Sequence, residues 1–425
     1  MSWRSRNKWL EECCMDLRLT KENLWNTLDE NMLNRNTEVK EFVQMLDKCE
    51  ADRIFAINGD WGCGKTFFIR QVCEVLDLDY QRKKGNKDLD RIEKIVAMHE
   101  ELEVGPLNRD FVTLYYDAWL HDDHEDPLLS LIYEIESKYK EMEETKEPKN
   151  KSFKDILNTL KDDIESKKGL QNIIEVEKLK KNYRDLLGEL LHQKGLGEGG
   201  NGHILIVIDE LDRCKPDYAV KVLERIKHFV ELENVFFVYC LNKVELCKSI
   251  ECFYGRKLKS TVYLNKFFDI TYDLNIKDIS LYYLQIAGVM KNNPKLNPLI
   301  PSLPQYLNFS LRECNQFREV MRGCLLIEEA GDEIFLISKN IFYPIIAALR
   351  ISNAQKCRDF LNGRLREYVE KIYNEVEDIK DVLKERSLKN LLSAYDILFN
   401  SEDGGNDVKK MRSILKDLLY DRGKV

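Results

Sequence analysis

Arg53-Ile-Phe-Ala-Ile-Asn58 runs directly into Gly59-Asp60-Trp61-Gly62-Cys63-Gly64-Lys65-Thr66, and the fold is read from that junction. A short apolar run ending at glycines is a buried strand feeding a turn. The turn matches GxxxxGK[ST] in full, and the apolar spacing from Phe67 to Leu76 predicts a helix behind it. Strand, glycine turn and helix are the context a phosphate-binding loop requires. The glycines let backbone N–H groups from Gly59 to Phe67 curl around phosphate oxygens. Lys65 then brings its ammonium to the β- and γ-phosphates, and the Thr66 hydroxyl serves Mg²⁺. A helix opening at Lys65 adds about half a positive charge facing the anion.

The partner acid stands at the end of another apolar run, His203-Ile-Leu-Ile-Val-Ile208, in Asp209-Glu210. A carboxylate at the tip of a buried strand is costly unless a cation offsets its desolvation. Asp209 is therefore assigned as a second magnesium ligand and Glu210 as the base that orients attacking water. Arg213 has two readings, a structural ion pair with Asp212 or a reach to a γ-phosphate. Asn242, after the run Val235–Leu241, also has two: contact with γ-phosphate and water, or a plain strand-end residue.

With Phe111–Tyr116, these runs make four candidate strands separated by helical stretches. They predict an α/β fold in which a parallel sheet is covered by helices on both faces. Residues 1–137 hold N-terminal helices and the first half of the core. Trp9, Leu10, Leu17, Leu24 and Trp25 carry one apolar helical pattern there, and Val39, Phe42, Val43 and Leu46 another. Residues 138–202 read as a helical insertion, with apolar faces Phe153, Ile156, Leu157, Leu160, Ile164 and Val176, Leu179, Tyr183, Leu186, Leu187, Leu190. The core resumes over 203–274, and 275–425 reads as an α-helical C-terminal domain, with apolar faces at Leu281–Met290, Ile341–Leu349 and Leu388–Leu398.

Composition narrows the function classes. The 425 residues carry a net charge of −8, so the overall field opposes nucleic acid. Twelve scattered cysteines without a CxxC pair read as reduced thiols, and the first residues, Met-Ser-Trp-Arg-Ser-Arg, show no apolar stretch of the signal-peptide kind. The expectation is a soluble, cytoplasmic protein without a transmembrane segment, any membrane contact being peripheral. Several motifs mislead. Asn242-Lys243-Val244-Glu245 resembles a guanine-reading motif but places Glu where a short Asp is needed. Gly195-Leu-Gly-Glu-Gly-Gly200 fits GxGxxG yet follows a helix and leads into a strand, so it reads as a linker. His121–Asp126 could ligate a metal but reads better as an acidic, solvated loop after the second strand.

On the residues quoted, the sequence resembles the KAP family of P-loop NTPases, of the STAND and AAA+-like branch. The resemblance rests on Trp61 within the loop, on Val112–Trp119 (VTLYYDAW), and on the stretch IDELDRCKPDYAVKVLERIK from Ile208. Tyr263–Phe268 and Ser310–Phe317 add to it. It implies ATP with Mg²⁺ as cofactors, hydrolysis coupled to a conformational switch, and Arg312 as a sensor arginine in the nucleotide site. It also implies a role in bacterial anti-phage defence. Many members carry Asp-Asp where this chain has Asp209-Glu210, and many thread membrane helices between the two motifs where this chain has a charged insertion. The partner would be a protein or a second copy of the chain. The rival readings are a nucleotide-gated scaffold, a GTPase and a nucleic-acid-stimulated motor.

Overall fold

In the computed structural model the described residues are 18–49, 53–83, 90–102, 105–142, 151–165, 173–196, 201–227, 234–276, 278–286, 297–325, 327, 332–384, 386–401 and 405–420. The pattern at Trp9, Leu10 and Leu17 lies outside them, as do 287–290 and 197–200. The chain forms two compact units, one spanning Leu19–Asn275 and the other containing Ile276–Val425.

The first unit opens with α1 (Lys21–Asp29) and α2 (Asn36–Lys48). The Thr20 hydroxyl caps α1 by accepting from the Asn23 amide at 3.2 Å. Val39, Phe42, Val43 and Leu46 of α2 are fully buried. Then follow β1 (Ile54–Asn58), α3 (Lys65–Lys83), α4 (Asp90–Met98), β2 (Asp110–Asp117), α5 (Pro127–Met142), α6 (Lys151–Glu165) and α7 (Ile173–Gln193). The unit closes with β3 (Gly202–Asp209), α8 (Pro216–Lys227), β4 (Val235–Leu241), α9 (Lys243–Tyr254), α10 (Ser260–Leu264) and β5 (Ile270–Asp273).

The strands form one parallel sheet in the order β2-β3-β4-β1-β5. Every residue of β3 and β4 is buried, which explains their uninterrupted apolar runs. The fifth strand was not among the four expected. Its residues alternate between half-buried and exposed at the sheet edge, so Ile270-Thr-Tyr-Asp273 presents no apolar run to read. The register aligns Asn58 with Leu241, and Asp209 with both Asp117 and Cys240. All the strand ends that carry candidate residues therefore meet along one edge, where open parallel sheets bind ligands.

The hairpin α6–α7 buries Phe153, Leu157, Leu160, Leu179, Tyr183 and Leu190 in the same hydrophobic cluster as β3 and β4.

The second unit is helical: α11 (Ile279–Ile286), α12 (Leu299–Tyr306), α13 (Leu311–Leu325), α14 (Glu333–Ser352), α15 (Ala354–Leu361), α16 (Arg366–Glu375), α17 (Asp378–Leu383), α18 (Leu388–Phe399) and α19 (Asn406–Tyr420). Among the described residues α14 is the one helix long and apolar enough to cross a membrane, and 72% of its most apolar window is buried within the protein. It packs against α12, α13, α15 and α19, which accounts for its composition.

Candidate functional site

The glycine turn joins β1 to α3 with little freedom to spare. Gly62 and Gly64 take φ of 81° and 91°, the left-handed region that side chains disfavour. A Cβ on Gly59 would lie 2.7 Å from Cys63 Sγ and 2.8 Å from the Leu274 carbonyl oxygen. The Gly59 amide donates to the Leu241 carbonyl at 3.2 Å, tying the loop to β4. Within the loop, Lys65 Nζ donates to the carbonyls of Gly59 at 2.8 Å and Asp60 at 3.1 Å. A lysine only 8% exposed needs such acceptors. Behind the loop, the buried Arg35 donates from Nη2 to the Cys63 carbonyl at 2.9 Å. Sequence reading missed Arg35, because its contact spans elements that no local pattern connects. Phe67 is half-buried in the first turn of α3.

Asp209 is 1% exposed and collects three donors. Its Oδ2 accepts from Thr66 Oγ1 at 2.6 Å and from the Tyr115 hydroxyl at 2.8 Å, while Oδ1 accepts from the Glu210 amide at 2.8 Å. Burial raises its pKa, and the three donors and Lys65 oppose that rise. Glu210 sits in the left-handed region at φ 58° and ψ 23°. Burial, and then the charge of Asp209, push its carboxyl up to about 7, with Arg213 pulling the other way.

The 3₁₀ turn Leu211–Arg213 brings residues 210 and 213 to the same side. Arg213 consequently pairs through Nε with Glu210 Oε2, and not with Asp212 as the sequence had offered. Asp212 instead accepts from Trp61 Nε1 at Oδ2, which explains an aromatic residue in the phosphate loop.

Asn242 is the strand-end residue of its plainer reading, and it bonds in two directions. Its Oδ1 caps α9 by accepting from the amides of Val244 at 3.0 Å and Glu245 at 3.3 Å. Its Nδ2 donates to Asp60 Oδ1 of the loop at 3.3 Å. Lys65, Thr66, Asp209, Glu210, Arg213 and Asn242 thus gather around the loop, while Arg312 is an exposed residue in the first turn of α13, in the other unit.

The misleading motifs resolve simply. Lys243 Nζ donates to Thr271 Oγ1 at 2.7 Å. In the acidic loop, His121 meets Glu134 at 2.8 Å and His124 meets Ser130 at 2.7 Å. Lys215 answers Asp122 and Asp123 there.

The KAP family P-loop domain matches residues 35–292. The chain belongs to the KAP family of P-loop NTPases. Its fold is that of a nucleotide-binding NTPase, with the phosphate loop and Asp209 inside the matched span. Among solved structures, the Aeropyrum pernix ORC1 protein in complex with DNA is similar at 14% identity and a TM-score of 0.35, over 90% of this chain and 83% of that one. No curated protein matches.

The site of this KAP-family chain suits a nucleotide-bound magnesium ion. Among the described residues no group of three or more His, Cys, Asp or Glu side chains is placed to hold a metal alone. A hydroxyl and a carboxylate already 2.6 Å apart offer hard oxygens, the few that magnesium takes from protein beside phosphates and water.

Proposed function

We propose that this KAP-family chain binds ATP with Mg²⁺ at the Gly59–Thr66 loop and hydrolyses it, the nucleotide state setting the protein's conformation for a partner. The observation that supports this best is the 2.6 Å bond between Thr66 and Asp209, which joins the two halves of a divalent-ion site from positions 143 residues apart. Loop amides and Lys65 would hold the phosphates. Thr66 and Asp209 would hold magnesium, which when bound offsets phosphate charge and orients the terminal phosphoryl group.

Glu210 would take a proton from water as its oxygen bonds to the γ-phosphorus and the bond to the β-phosphate oxygen breaks. Its left-handed backbone costs on the order of 1 kcal/mol, strain of the kind that collects at functional positions. Arg213 would steady that carboxylate through their ion pair. The Asn242 amide, now on Asp60, would serve the γ-phosphate. Arg312 enters as a sensor through the family resemblance, as does a setting in anti-phage defence. Magnesium-nucleotide chemistry itself rests on the residues above.

Steady-state phosphate release and nucleotide affinity, measured on Glu210→Gln and Lys65→Ala, test the reading. Glu210→Gln should lose most turnover while keeping affinity, and Lys65→Ala should lose triphosphate binding with the fold intact. Unchanged turnover in Glu210→Gln would support a scaffold instead. Preference for GTP, or steep salt-dependent stimulation by DNA or RNA, would favour the other two rivals.

A further inference from the structure

Tyr115 belongs to neither half of the phosphate site, yet its hydroxyl donates to Asp209 Oδ2 at 2.8 Å. It stands on β2, whose register sets Tyr115 beside Val207 and Asp117 beside Asp209. Thr66, the other donor to Oδ2, rides on the loop-bearing helix and has a second duty toward a cation. The phenol has none, because an ionised carboxylate only accepts and the tyrosine must donate.

The ring is itself held. The Arg70 guanidinium lies 3.4 Å from its centroid. Arg70 follows Thr66 by four residues on α3, so one helix face reaches Asp209 directly and reaches Tyr115 from the other side. Arg70 Nε is buried without a hydrogen-bond partner among the described residues, consistent with a side chain placed to stack. A cation over the ring also polarises its O–H into a stronger donor.

We infer that Tyr115, steadied by Arg70, is a positioning residue for Asp209, fixing the carboxylate plane that a divalent ion meets. The inference rests on the magnesium-nucleotide reading above. Donors that orient a metal-ligating carboxylate typically contribute 10- to 100-fold to metal affinity.

Tyr115→Phe removes the hydroxyl alone. Smaller residues would mislead, because Tyr115 also lines a 260 Å³ polar cleft with Arg70, Glu134 and Lys138, and truncation would extend it toward Asp209. The experiment is a Mn²⁺ titration of the full chain with saturating ADP, read by the loss of free-Mn²⁺ EPR signal. ADP affinity in EDTA and thermal midpoint are measured alongside. In Tyr115→Phe the half-saturating Mn²⁺ concentration should rise at least about 10-fold. Metal-free ADP affinity should stay within twofold. Arg70→Met should shift Mn²⁺ in the same direction by about 3-fold, which keeps the test decisive if the Phe variant folds poorly. Equal Mn²⁺ affinity in wild type and Tyr115→Phe would overturn the inference. So would an equal loss of ADP affinity in EDTA, the mark of general damage. Wild-type protein that takes up no Mn²⁺ with ADP would overturn the site reading itself, an outcome distinct from the other two.

Discussion

Trp61→Phe tests the tie between the phosphate loop and the turn after β3. The Asp212 carboxylate is 6% exposed, its Oδ1 is buried with no hydrogen-bond partner among the described residues, and its Oδ2 takes the Trp61 indole. Phenylalanine keeps the ring and removes that donor. A hydrogen bond to a charged group contributes about 1.5–3 kcal/mol. Trp61 is itself 48% exposed, so water can replace part of the bond, and the lower end of that range applies. For a unit of this size about 1.5 kcal/mol corresponds to roughly 3–6 °C in thermal midpoint. Circular dichroism follows the melt without relying on the lost fluorophore. The same substitution made in an Asp212→Asn background should cost about 0.5 kcal/mol, leaving a coupling near 1 kcal/mol. A shift under 1 °C, or equal shifts in both backgrounds, would refute the reasoning.

Two further predictions follow from the core and from the end of β4. Phe42 is fully buried with ring centroids 5.6–5.9 Å from Phe55, Phe68 and Tyr272, so Phe42→Ala should cost about 3–5 kcal/mol in urea unfolding. Asn242→Asp keeps the acceptor that caps α9 but loses the amide facing Asp60. The carboxylate oxygen that takes the amide's place lies against Asp60 Oδ1, so Asn242→Asp should lose stability by like-charge repulsion while turnover falls roughly 100-fold, whereas Asn242→Ala should lose about 1 kcal/mol of stability through the missing cap; equal turnover in wild type and Asn242→Ala would remove the amide from the reaction.

The sequence made the site legible where chemistry and local pattern coincide. Lys65, Thr66 and Asp209 each follow an apolar run by a fixed offset, and runs of buried strand read clearly. The fifth strand did not, because an exposed edge needs no apolar run. Of the two readings of Arg213, the ion pair with Asp212 falls to one with Glu210, since a 3₁₀ turn spaces contacts by three residues where adjacency suggested Asp212. Tyr115 passed as one more strand aromatic. Its role depends on the β2–β3 register, which no pattern within a single strand encodes. Helix α14 illustrates the same limit: its composition fits a membrane or a core, and packing decides what residues alone leave open.

The α6–α7 hairpin looks in the sequence like a removable excursion between two motifs. Its inward side chains, however, share one apolar interior with the sheet. Trimming the chain to a minimal P-loop fragment by excising that hairpin would leave β3 and β4 with uncovered oily surface, and the product should precipitate. Any shortened piece drawn from the unit Leu19–Asn275 should accordingly keep the excursion as part of its foundation.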